Sequence, residues 1–321
     1  MIDFDCTVNS TVPRAAEFVS KIDPKYSLVI GISTVLTIAN LVVYLFQIIR
    51  ISLRVTEPAR HFLLCYLLGS PAFVSTATLI ALYAPRLHFF STFLCCLYLP
   101  GAFYASTQLI WVTVATRENI SCQLKKDSQK FKMNTPPCCC CMLCLPGTEM
   151  SVRNIIRMER MVLLCVLARV VGTVIFFGLY FEHGEHALEW AKYIDMSWIP
   201  FFLLGLYGFH LLAANMAKLK IVKKSNCISF FKLTDLFFLF YGLQQPIFDA
   251  VTGAGKFHCD ILPMKDTGYF WKNMSTVIIS FFISILMFWV IKPAKESSTT
   301  VDFEPISSAT SMSPTEKSME K

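Results

Sequence analysis

The stretch YSLVIGISTVLTIANLVVYLFQII, residues 26 to 49, decides the fold. It contains no Asp, Glu, Lys or Arg. A helix of that length rises about 36 Å, enough to cross a hydrocarbon core of about 30 Å. The rest of the chain shares this character: 55% of the 321 residues are hydrophobic, 16% are charged, Phe alone supplies 28, and the mean hydropathy is +0.54. A soluble domain carries about a quarter charged residues, so the expected solvent is the bilayer.

Outward from this stretch, six more are long enough to span: approximately 62 to 84, 89 to 116, 161 to 181, 196 to 217, 233 to 253 and 273 to 291. The expected fold is therefore an all-α integral membrane protein, a seven-transmembrane helix bundle occupying residues 26 to 292. Charges enter the spans only at Arg169, Asp235 and Asp249. Residues 1 to 25, MIDFDCTVNSTVPRAAEFVSKIDPK, lack a basic region followed by an apolar core, so the first span must also serve as the targeting signal.

An odd number of spans puts the two ends on opposite sides. Alternate segments hold 20 Lys and Arg on one side and 8 on the other. The positive-inside rule then places the N-terminal segment 1 to 25 outside and the C-terminus in the cytoplasm. The tail, residues 293 to 321, is rich in Ser and Thr and poor in large apolar residues, and is expected to be disordered. The net charge of +7 is mostly this inner-side bias and gives no reason to expect a nucleic acid. This topology makes the sequons informative: Asn9 in NST is expected to carry glycan, Asn119 in NIS faces the cytoplasm and is not, and Asn273 in NMS is outside but close to the bilayer.

The longest inner loop, 117 to 160, contains TPPCCCCMLCLPG at 135 to 147, with Cys138, Cys139, Cys140, Cys141 and Cys144 in seven positions. Disulfides are disfavoured on the reducing side. A zinc site needs converging, separated pairs, and only Cys141 and Cys144 have the two-residue spacer, with no His in the loop. Adjacent cysteines between prolines near a membrane suit S-palmitoylation, and an unmodified loop is the other reading. Lys125, Lys126, Lys130 and Lys132 precede the run, and Arg153, Arg157 and Arg160 follow it on one helical face, next to anionic inner-leaflet lipid.

Seven spans, an outer N-terminus, a long loop between spans three and four and a proline-flanked cysteine run resemble the alpha subunit of the organic solute transporter family. Two further segments carry the resemblance: RVTEPARH at 54 to 61, and ISFFKLTDLFFLFYGLQQPIF at 228 to 248 with its early lysine and later glutamines. Here the four cysteines are uninterrupted, whereas the family's run tends to be broken by prolines. The resemblance implies facilitated, ion-independent transport of amphipathic organic anions, such as steroid conjugates and bile-acid-like solutes. It also implies a single-span beta subunit as partner. The expected location is the cell membrane, and with no phosphate-cradling glycine loop, nucleophile elbow or paired intramembrane carboxylates in the sequence, neither enzymatic activity nor a cofactor is expected.

Polar groups inside the spans mark the candidate site. Arg169 falls near the middle of the fourth span, where an arginine costs about 2.5 to 3.5 kcal/mol on insertion scales, so it is expected to face the interior or a cavity. At 1.5 Å per residue, Asp249 lies about 12 Å nearer the outer surface, Asp235 about 9 Å nearer the inner one, and Gln244 and Gln245 within about 4 to 6 Å of its depth. A midplane cation without a level acid is what an anion site needs. Alternatively, Arg169 bonds to Gln245 and backbone carbonyls as structural glue. Asp235, Gly242, Gln245 and Asp249 share one helical face, and His210 with Tyr207 could line the same cavity.

Other constellations are weaker. FEHGEH at 181 to 186 lacks the helical spacing of a zinc motif and reads as a solvated loop. Cys259 could form a disulfide whose partner the sequence does not specify. A seven-helix receptor or membrane signalling scaffold is the alternative function. Against it, the third span ends VATREN rather than in an Asp-Arg-Tyr-like triplet, and the seventh lacks an Asn-Pro-x-x-Tyr pattern.

Overall fold

The computed structural model describes residues 12 to 114, 151 to 217, 227 to 257 and 261 to 290. The cysteine run, Cys259, the sequons at Asn9 and Asn119 and the tail lie outside the described residues. Within them the chain forms nine α-helices and no strand. These are α1 (Ala15–Ser20), α2 (Pro24–Ser52), α3 (Pro58–Leu68), α4 (Ser70–Tyr83), α5 (His88–Val114), α6 (Val152–His183), α7 (Ala187–Met216), α8 (Cys227–Gly253) and α9 (Met264–Val290).

Five stretches are long and apolar enough to cross a membrane: α2, Pro85–Val112, α6, Met196–Met216 and α9. The pair α3 and α4, bent by 41° at its break, makes a sixth if taken as one span. The break follows from GSP at 69 to 71. Pro71 removes a backbone donor from the first turn of α4, and the Ser70 hydroxyl donates to the Leu67 carbonyl at 2.7 Å. Close packing requires glycine at position 69. A Cβ there would stand 3.0 Å from the hydroxyls of both Tyr44 and Tyr98. The segment expected as the sixth span, α8, is long enough to cross, but Asp235, Gln244, Gln245, Pro246 and Asp249 interrupt its apolar character.

The helices pack as two groups around α5 and α8. On one side α2, α4 and α9 pack together, and α3 docks on α5. On the other, α6 and α7 form a close antiparallel pair. Gly205 and Gly208 of α7 permit their approach: a side chain at 205 would meet Cys165, and a Cβ at 208 would lie 2.9 Å from that of Met161. Rings fill the join between α5, α7 and α8. Phe103 stacks on Phe209 at 3.8 Å between centroids, Phe209 on Phe231 at 4.2 Å, and Phe238 closes the set at 5.2 Å from Phe103. A smaller cluster of Phe18, Tyr26, Leu82, Phe270 and Val277 ties α1, α2, α4 and α9 at one end of the bundle. Of the phenylalanine-rich run at 237 to 240, Phe237 and Phe238 are buried whereas Leu239 and Phe240 are exposed.

Helix α2 has two contrasting faces. Leu28, Val35, Ile38, Leu45, Phe46 and Ile49 are exposed, as a lipid-facing surface requires. Ser33, Thr37, Asn40 and Gln47, at alternating steps of four, three and seven, are buried, and their side-chain polar atoms have no hydrogen-bond partner among the described residues. Ser280 of α9 shares this condition.

Candidate functional site

The polar residues picked out inside the spans fall into three groups in the structure. Arg169, half-buried in the middle of α6, reaches α5 and α7. Its Nη2 donates to the Cys96 thiol at 2.9 Å, and its guanidinium lies 4.8 Å from the centroid of the Trp198 ring. A cation over an indole gains about 0.5 to 2 kcal/mol, and a thiol is a weak acceptor.

The second group joins α8 to α9. Gln244 is buried; its amide oxygen accepts from the Thr276 hydroxyl at 2.5 Å and its Nε2 donates to Ser275 Oγ at 3.4 Å. Gln245 faces two charges at once: its carbonyl oxygen accepts from the Lys272 ammonium at 2.5 Å, and its Nε2 donates to both carboxylate oxygens of Asp249 at 2.9 Å. One amide thus links a cation to an anion, satisfying its two kinds of polar atom by their opposite charges. Lys272 is only 3% exposed, whereas Asp249 is on the open surface of α8. Beside it Gly242 has open space where a side chain would stand.

His210 and Asp235 make the third group, with Nε2 and Oδ2 3.4 Å apart between α7 and α8. Tyr207, one turn before His210, is buried in the core. The face shared by Asp235, Gly242, Gln245 and Asp249 is therefore not one continuous lining. Its two carboxylates are engaged separately, Asp235 by His210 and Asp249 through Gln245. Tyr241 connects the first two groups, lying within electrostatic reach of Arg169, Cys95 and Cys96. Lys272 in turn reaches Cys95 and His88.

Lys272 is the residue that sequence reasoning missed. The seventh span was expected to begin at Asn273, which left Lys272 in an outer connection. The helix instead begins at Met264 and carries Lys272 in its third turn. The signal was present in the spacing of Tyr269, Asn273, Thr276, Ser280 and Ser284, a stripe at helical intervals that runs back past Lys272. Asn273 is buried too, with Nδ2 3.2 Å from His88 Nδ1, and the His88 ring stacks on Tyr269 at 4.2 Å. Trp198 and Cys96 were also missed, because nothing in a single helix announces which neighbour an arginine will face.

Comparison with known proteins identifies the family. A family model described as organic solute transporter Ostalpha matches residues 29–296. The chain is similar to organic solute transporter alpha-like protein 2 of Caenorhabditis elegans, 28% identical over 295 residues, which cover 91% of this chain and 86% of that protein. It is also similar to alpha-like protein 3 of the same organism, 25% identical over 294 residues, covering 90% and 83%. No solved structure matches. With its apolar helices and a match running from within α2 to beyond α9, this chain belongs to the organic solute transporter Ostalpha family.

Proposed function

We propose that this protein is the membrane subunit of a carrier for amphipathic organic anions, such as steroid conjugates and bile-acid-like solutes, moving them by facilitated, ion-independent diffusion. The observation that carries the proposal is the presence of two cations inside the bundle, Arg169 bonded to the Cys96 thiol and Lys272 within electrostatic reach of the neighbouring Cys95. A guanidinium backed by an indole offers charge and bidentate donors to a sulfate or carboxylate, while the surrounding rings suit a rigid apolar body. Engagement of Asp235 and Asp249 by neighbouring groups supports movement uncoupled from sodium or protons. The proposed topology has seven spans, with α3 and α4 as one and α8 crossing despite its polar face. It places the N-terminus outside and the C-terminus in the cytoplasm. A single-span beta subunit is the proposed partner, at the cell membrane.

Uptake of a labelled steroid sulfate into vesicles, with and without a co-expressed single-span partner, tests the proposal. Arg169→Gln is expected to reach the surface and lose uptake, while Arg169→Lys keeps part of it, because a point charge survives where the planar fork is lost. Uptake should persist when sodium is replaced or a pH gradient is collapsed. Full uptake by a well-expressed Arg169→Gln protein would remove this residue from the mechanism.

A further inference from the structure

Helix α6 is peripheral, packing on α5 and α7 alone among its closer neighbours, and its outer face is divided by chemistry along its length. Arg153, Arg157 and Arg160 are exposed and line, with Ile156, a hollow of about 430 Å³. The same stripe continues at helical intervals through Leu164, Leu167, Val171 and Val174, which are 41%, 52%, 56% and 60% exposed. Ile155, Met158, Val162 and Cys165 fill the opposite, buried face. Three guanidiniums thus stand directly beneath an apolar strip at the level where the membrane-spanning part of α6 begins.

We propose that this face binds one anionic phospholipid, with its phosphate and acidic headgroup in the Arg153, Arg157 and Arg160 hollow and an acyl chain along Leu164, Leu167, Val171 and Val174. Charge complementarity selects the headgroup. Three arginines spaced over two turns can surround a phosphate with forked donors, and near a membrane surface each is worth about a factor of five in affinity for acidic lipid. Arg153, in the first turn of the helix, adds to the preference, since the dipole there contributes positive potential that an anion relieves. The length of the strip selects a lipid rather than a free anion. Val174 lies about 31 Å along the helix from Arg153, so headgroup and chain can be engaged by one molecule. Arg157 is also steadied by the Asn154 side chain, Nη1 to Oδ1 at 3.4 Å. The inference concerns lipid binding and does not depend on which solute is carried.

The test uses the full chain purified in a zwitterionic detergent and titrated with short-chain phosphatidylserine, with short-chain phosphatidylcholine, glycerophosphoserine and inorganic phosphate as comparisons. Phosphatidylserine should bind best, each Arg→Gln change at 153, 157 or 160 should weaken it about fivefold, and the triple variant by about a hundredfold. The triple Arg→Lys protein should bind more tightly than the triple Gln variant and less tightly than wild type, because the charges survive and the forks are lost. Equal binding of phosphatidylcholine, or undiminished binding by a triple Gln variant, overturns the proposal. Phosphate or glycerophosphoserine binding as tightly as the lipid would also overturn it, by showing that the apolar strip contributes nothing. A monodisperse elution profile for the triple Gln variant shows that lost binding is not lost folding, and native mass spectrometry of wild type released from mixed vesicles should show phosphatidylserine retained ahead of phosphatidylcholine.

Discussion

Lys272 shows how a charge is accommodated at the residue scale when water is withdrawn. Its ammonium bonds to Gln245, and the same amide grips Asp249, so the two charges compensate through an intermediary instead of in direct contact. Lys272→Met should lower stability by about 1.5 to 3 kcal/mol, the usual worth of a charged hydrogen bond. Adding Asp249→Asn should recover part of this loss, giving a coupling of about 0.5 kcal/mol or more in a double-mutant cycle read by thermal unfolding in detergent. Additive losses would show that the amide does not connect the pair. Arg169, Gln244, Gln245, Asp249 and His210 were all identifiable by type, because each is costly in an apolar stretch. Their partners were not. Pairing depends on how α8 and α9 are rotated against each other, and depth counted along separate helices left Asp249 without the cation it has in Lys272.

At the scale of an element, the bend between α3 and α4 depends on the absence of one methyl group. Gly69→Ala would place a carbon 3.0 Å from two tyrosine hydroxyls and 3.1 Å from the Cys65 carbonyl. Strain of this kind costs about 1 to 3 kcal/mol. Removing one of the crowding atoms with Tyr44→Phe should restore part of the stability, though it forfeits the Tyr44 hydroxyl's 3.2 Å bond to the Cys65 carbonyl. A melting curve for Gly69→Ala that matches wild type would show that the helices yield freely here. The location of this helix pair was legible as a single apolar stretch, but its interruption at GSP was not read from the sequence, and the 41° angle depends on packing against neighbouring helices such as α2 and α5. Helix starts were the least legible feature. Ser151 accepts from the Asn154 amide at 3.3 Å and caps α6, so the helix begins well before its apolar part. Apolarity reports where lipid begins, and a helix extends as far as its caps allow.

For the whole molecule, the balance of basic residues carries the proposed orientation, and two modifications test it. Asn9 should carry glycan and Asn119 should not; the reverse pattern in a mass-shift assay would invert the topology. Replacing Cys138, Cys139, Cys140, Cys141 and Cys144 by Ala should abolish hydroxylamine-sensitive acyl labelling while membrane insertion persists, and undiminished labelling would place the acyl groups elsewhere. The buried polar face of α2 carries a consequence in time. Ser33, Thr37, Asn40 and Gln47 are buried on a helix that packs against α4 and α9, yet among the long described helices α2 is synthesised first and α9 last. About 210 residues separate them, so at roughly 5 to 20 residues per second the ribosome takes about 10 to 40 s to supply the covering helix. During that interval the newborn helix must shelter four polar side chains against the translocon or a biogenesis factor, and a nascent chain stalled before Met264 should crosslink to such a factor through Asn40.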